Sequence, residues 1–237
     1  MIAIPAIDLR EGACVQLVGG SYEEEQVRLD NPAAVAWQWE NYGFKHLHVV
    51  DLDAATGRGD NAEMVRQILN STPMTVQVGG GVRESRQIEA LLRDGAQRVV
   101  VGTRAIEEPD WLEEMADQYP ETLIVAADVR DRRVVTRGWG KTSSRYVLDV
   151  VSELGELPLA GIMVTAVHKE GQMLGTDLPL MEDVVEASAF PVYASGGVAT
   201  LGDLRALDDR GVAAVIIGMA LYTGAIDARA VADEFSE

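Results

Sequence analysis

The chain has 237 residues, 47% of them hydrophobic, enough to bury one large core. Its formal net charge is −18 and its pI near 4.5, which disfavours nucleic acid and anionic membranes as partners. No apolar run reaches the roughly 18 residues of a membrane span, the N-terminus lacks a basic leader, and Cys14 stands alone, so a cytoplasmic chain without membrane, disulfide or cysteine–metal chemistry is expected. His46, His48 and His168 are too few and too scattered to suggest a metal site.

Short apolar runs alternate with amphipathic stretches from end to end. In chain order the pattern predicts strand 2–8, helix 32–43, strand 45–51, helix 61–71, strand 74–79, helix 84–95, strand 98–102 and helix 107–118. The second half predicts strand 123–128, helix 143–155, strand 160–165, helix 178–189, strand 191–195, helix 200–210, strand 213–217 and helix 225–235. The strands are short and rich in Val and Ile, as buried parallel strands are. Asn31-Pro32, Glu108-Pro109 and Leu178-Pro179 mark helix starts, and Gly43, Gly95 and Gly211 mark helix stops. Eight strand–helix units in this length predict an α/β fold, a (β/α)8 TIM barrel forming one domain over residues 1–237. The longest loops are expected at about 9–31 and 129–142, on the C-terminal face where barrel enzymes keep their chemistry.

The chain repeats itself. Val78-Gly79-Gly80-Gly81-Val82 is followed by Val101-Gly102-Thr103, and Ala194-Ser195-Gly196-Gly197-Val198 by Ile217-Gly218-Met219. Gly81 precedes Gly102 by 21 positions, and Gly197 precedes Gly218 by 21. Ile7-Asp8 corresponds to Ala127-Asp128, and Val50-Asp51 through Asn61 is aligned with Val164-Thr165 through Asp177. The offset between halves stays near 114–120 residues, which points to duplicated half-barrels of about 1–120 and 121–237.

Glycine runs before helix N-termini let backbone N–H groups approach an anion. Two such sites, Gly80, Gly81, Gly102 and Thr103 in one half and Ser195, Gly196, Gly197, Gly218 and Met219 in the other, suggest a small-molecule substrate with a phosphate at each end. Arg83 is placed to support the first. Asp8 and Asp128 end the first and fifth strands, which face each other in an eight-stranded barrel. One carboxylate as base and one carboxylic acid as donor suit proton transfer on a bound sugar phosphate. Asp51 and Thr165 are expected to orient or tune this pair, or Asp51 to satisfy its own loop. If Asp51 faces the mouth, His48 faces the helices. Glu170 is a third acid near the site or a solvated loop charge. Trp139, beside Arg137 in a loop otherwise poor in apolar residues, is read as a stacking surface for a planar heterocycle, with Arg137 on a phosphate or amide. Trp37, Trp39 and Trp111 fall on helices, where outer-ring packing is expected.

Ile4-Pro5-Ala6-Ile7-Asp8, Val15-Gln16-Leu17, Val50-Asp51-Leu52-Asp53-Ala54-Ala55, Gln77 through Arg83, Arg137-Gly138-Trp139 and Ala194 through Val198 together resemble the ProFAR isomerase family of histidine biosynthesis, over essentially the whole chain. The resemblance implies an isomerase without cofactor, a bisphosphorylated substrate, and an Amadori rearrangement of an aminoaldose to an aminoketose. It implies Asp8 as base, Asp128 as acid and Thr165 in support; separately, a monomer is expected. Glu170 stands where the family has Asp, Ala166 where it has an acid, and Gln16 where relatives often carry Arg. The alternatives are the cyclase subunit of imidazole glycerol phosphate synthase, a dual-substrate isomerase that also takes phosphoribosyl anthranilate, and a catalytically dead sugar-phosphate binder. The intact Asp pair speaks against the last.

Overall fold

Eight parallel strands close on themselves in a computed structural model that describes residues 1–21, 23–136, 139 and 141–236. They are β1 (Ile2–Arg10), β2 (His46–Asp51), β3 (Thr75–Gly79), β4 (Arg98–Val101), β5 (Leu123–Arg130), β6 (Gly161–Ala166), β7 (Val192–Ser195) and β8 (Ala214–Ile217). Each pairs with the next, β5 pairs with β6, and β8 pairs with β1, so the barrel has no free edge. The outer ring is α1 (Pro32–Tyr42), α2 (Ala62–Ser71), α3 (Ser85–Arg93), α4 (Pro109–Gln118), α5 (Val147–Leu154), α6 (Leu178–Ala187), α7 (Leu201–Asp208) and α8 (Ala228–Phe235). This is a (β/α)8 barrel. Among the described residues no helix is long and apolar enough to cross a membrane.

Strand alternation sorts the side chains into two cores. Ile7, Leu9, Leu47, Val49, Val125 and Ala127 point outward and pack with Val35, Trp39, Ile68, Leu112 and their neighbours on the helices. Ile4, Ala6, Val100, Ile124, Met163, Tyr193, Ala214 and Ile216 point inward and fill the barrel. Each large aliphatic buried in this way contributes about 1.5–3 kcal/mol. The filled interior closes the floor beneath the C-terminal mouth, so chemistry is confined to strand ends and loops. Helix ends carry the chemistry that stops them. Asn31 caps α1 by accepting the Ala34 N–H at 3.1 Å, and Gly43, at φ 110°, ends it.

The predicted barrel strands agree with the structure to within two residues at each end. The two long loops do not. After Asp8 the chain turns at Glu11 (φ 50°) and Gly12 (φ 77°), and Ala13–Leu17 returns antiparallel with Asp8 opposite Val15. After Asp128 it turns at Asp131 (φ 50°) and Arg132 (φ 65°), and Arg133–Thr136 returns with Asp128 opposite Val135. Both are two-residue turns with positive φ at each position, the geometry that matches strand twist. Further strands follow at Glu25–Leu29 and Lys141–Tyr146. The helix expected from 143 therefore begins at Val147. Trp39 and Trp111 pack in the outer ring as expected, but Trp37 is 62% exposed and packs no core.

Candidate active site

Asp8 follows Ile4 and Ala6 on the inward face of β1, and Asp128 follows Ile124 and Ala126 on the inward face of β5. The strands stand opposite each other in the ring. The two carboxylates therefore rise from the floor on either side of the mouth. Burial pushes the Asp8 carboxyl up to about 7. Burial also raises Asp128, while hydrogen bonds from Trp139 and Thr165 pull it back. The indole Nε1 of Trp139 donates to Asp128 Oδ2 at 2.8 Å. Thr165 lies beside Asp128 in the β5–β6 register, and Ser195 lies beside Thr165.

A third carboxylate joins them. Glu170 follows the 3₁₀ turn Val167–Lys169 after β6 and is pushed up to about 7, by burial first and then by the negative Asp8 and Asp128. Its Oε2 is buried with no hydrogen-bond partner among the described residues. A buried, unpaired carboxylate oxygen is costly and needs a partner that a ligand can supply. Gly19 N–H donates to the Glu170 carbonyl at 3.2 Å, so the loops after β1 and β6 meet over the mouth.

The glycine sites occupy the other axis of the mouth, after β3 and β4 on one side and β7 and β8 on the other. Gly80 and Gly81 have φ of 102° and 69°, and Gly196 and Gly197 have 97° and 86°. A side chain on Gly80 would press on the Asp51 backbone, with its nitrogen 2.6 Å from the new Cβ, and one on Gly196 would press on the Ala166 carbonyl at 3.0 Å. Gly102 and Gly218 each precede a short helix, Thr103–Glu107 and Met219–Tyr222. Arg83 is exposed. Its guanidinium donates to the Ala55 carbonyl at 3.1 Å, and its own carbonyl accepts from Arg104. Arg104, which follows Thr103 and is paired with Glu108 at 2.9 Å, is a second cation beside this glycine run that sequence reasoning passed over. Arg137 and Gly138 lie outside the described residues.

Of the two readings of Asp51, the structure bears out the second, that it satisfies its own loop, and Asp51 does not face the mouth. It sits opposite the outward Leu9 in the β1–β2 register. Its carboxylate accepts from the backbone N–H of Ala54 at 3.0 Å and of Asn61 at 2.6 Å. It is a loop brace, not a partner of Asp8. His48 in turn does not face the helices. It lies opposite the inward Ala6, bonds Gln77 at 2.9 Å, and is lowered to about 4 by burial. The alignment of Asp51 with Thr165 is also off by one. Gly80 abuts Asp51 where Gly196 abuts Ala166, so Thr165 corresponds to Val50.

Sequence reasoning also missed what Gln16 does. It is 3% exposed, its Nε2 donates to Asp8 Oδ2 at 3.4 Å, and its Oε1 lies where a side chain on Gly218 would be. A polar residue within Ala13–Leu17, otherwise an apolar run, was the available signal. The strand that carries it is held by Asn61, whose Oδ1 accepts from Gly12 N–H at 2.8 Å, and by Asp53, which accepts from Glu11 N–H at 2.6 Å.

The family model described as histidine biosynthesis protein matches residues 2–227. The chain belongs to this family. Among its relatives, a protein of Gemmatimonas aurantiaca is 64% identical over 235 residues, covering 99% of both chains. One from Myxococcus xanthus is 56% identical over 237 residues and the whole of both chains. One from Methanothermobacter thermautotrophicus is 43% identical over 228 residues, 96% of this chain and 95% of its own. Each bears the name 1-(5-phosphoribosyl)-5-((5-phosphoribosylamino)methylideneamino)imidazole-4-carboxamide isomerase. The resemblance read from the motifs is thus to the same family, and the matches span the barrel rather than one half of it.

Proposed function

We propose that the chain is the isomerase of histidine biosynthesis that carries out this Amadori rearrangement, with Asp8 and Asp128 as its proton-transfer pair. The observation that carries the reading is the placement of two inward carboxylates at opposite strand ends, both with proton affinity raised by burial, so that an acid and a base can coexist near neutral pH.

Asp128, protonated, gives its proton to the ribose ring oxygen. The ring C–O bond breaks as the nitrogen lone pair forms a C=N bond at C1. Asp8 takes the proton from C2, and the electrons move to give an enol-amine. Reprotonation at C1 leaves the aminoketose. Nothing is oxidised or reduced overall, because hydrogen moves within one molecule. Thr165 orients Asp128 from the neighbouring strand. The two phosphates take the two glycine cradles, one at Gly80, Gly81, Gly102 and Thr103 and the other at Ser195, Gly196, Gly197, Gly218 and Met219. The relatives' name includes two phosphoribosyl groups, one for each cradle. Glu170 meets the substrate from the loop after β6, and Trp139 with Arg137 from the segment after β5. The near-identical glycine conformations in the two halves support their origin by duplication.

The test is to assay purified protein side by side with the aminoaldose, with phosphoribosyl anthranilate, and with the ketose plus ammonia. Turnover of the aminoaldose supports the reading. Turnover of the ketose with ammonia alone would replace it with the cyclase.

A further inference from the structure

Trp139 is a bulky residue at φ 67°, a conformation that L side chains adopt only at a cost of about 1–3 kcal/mol. Two contacts offset that cost. The indole N–H donates to Asp128 Oδ2 at 2.8 Å. The six-membered ring lies flush on Gly20, where an added Cβ would be 2.8 Å from Cε3 and 2.9 Å from Cη2. Gly20 itself is at φ 68° and comes from the segment after β1, so the seat for the indole is supplied by the opposite side of the barrel.

A tryptophan that only covers a planar ligand needs its faces. It does not need its N–H on a carboxylate. We propose that Trp139 is a positioning residue for Asp128, its indole N–H orienting that carboxylate and setting how readily it holds a proton in the substrate-free enzyme. The proposal rests on the reading of Asp128 as the acid of the isomerase. The groups around Asp128 give this donor its weight. Thr165 bonds it from β6. Glu170, from the loop after β6, is raised in part by the charges of Asp8, across the mouth on β1, and of Asp128. The Asp128 carboxyl is thus buried, with Trp139 and Thr165 as the hydrogen-bond donors that oppose the effect of burial. A hydrogen bond to an ionised group favours the ionised form. Without the indole N–H, Asp128 should keep its proton to higher pH.

Trp139→Phe separates the two roles, since it keeps an aromatic face and removes the donor. The Asp128 carboxyl is followed by ¹³C NMR in ligand-free wild type, Trp139→Phe and Gly20→Ala, the last of which denies the intact indole its seat. The expected result is an upward move of the Asp128 titration by about one pH unit in Trp139→Phe, and a move in the same direction in Gly20→Ala. The limb of the kcat/KM pH profile that belongs to Asp128 should move with it, while KM changes less than in Trp139→Ala. An unmoved titration in Trp139→Phe overturns the proposal and returns Trp139 to a covering role. The NMR readout needs no substrate. A wild type that fails to isomerise would sink the reading of the function without deciding this one.

Discussion

Gly102 and Gly218 share one backbone conformation, φ −111°, ψ −111° and φ −103°, ψ −103°, at the ends of β4 and β8 on opposite sides of the barrel. Each follows a strand beside a Gly-Gly pair whose φ values also match across the halves. Free N–H groups at such turns favour anions. Crystals soaked in phosphate are expected to show tetrahedral density at both cradles. Density at neither would contradict a substrate with a phosphate at each end.

The raised acids have a consequence for stability. Asp8 is held at about 7 in the folded chain against 3.8 as an ordinary Asp. A group whose folded value is raised contributes its stability below the unfolded value and loses it as pH rises through the folded one. Asp8→Asn should therefore raise Tm relative to wild type at pH 8, by at least about 2 °C, the shift that about 1 kcal/mol gives in a chain of this size. The difference should shrink as pH falls toward 3.8 and close below it, where Asp8 is protonated in both states. Thermal melts at the two pH values check this. Equal melting temperatures at pH 8 would mean that Asp8 is not buried as a charge.

Gln16 leans on both Asp8 and Gly218, linking the proposed base to the proposed second phosphate site. Gln16→Ala removes the amide donor, so Asp8 should bind its proton more tightly. The acid limb of kcat/KM should then move to higher pH, with kcat/KM near pH 7 falling roughly tenfold, the loss expected for one hydrogen bond to a charged group. Steady-state kinetics across pH measure both. An unchanged acid limb would leave Gln16 with packing alone.

Much of this was legible in one sequence, for reasons that differ by element. Buried parallel strands such as Arg98–Val101 and Ala214–Ile217 are short and mostly apolar, and Pro and Gly punctuate the helices between them. The hairpins after Asp8 and Asp128 do not show in the sequence because Ala13–Leu17 and Arg133–Thr136, at five and four residues, are too short to show alternation. Their pairing depends on turns at Glu11-Gly12 and Asp131-Arg132, of which only the first carries a glycine. Alternation alone sets His48 with Val50 and against Asp51 but leaves open which set faces the mouth, because a one-residue slip in a strand turns every side chain to the other side; the register with Ala6 and Asp8 decides it. The bond from Gln16 to Asp8 and the seat of Trp139 on Gly20 join segments that only the closed ring brings together.

The most direct test of the central claim is the pH profile of kcat/KM for Asp8→Asn and Asp128→Asn on the aminoaldose, with circular dichroism to show that the barrel is intact. Asn keeps the size and polarity of each side chain but cannot exchange the proton. Each variant is predicted to lose about 10²–10⁴-fold in kcat/KM, and each to lose a different limb of the profile. A folded variant of either kind that keeps near-full kcat/KM would contradict proton transfer by that carboxylate, and Glu170 would be the next acid to replace.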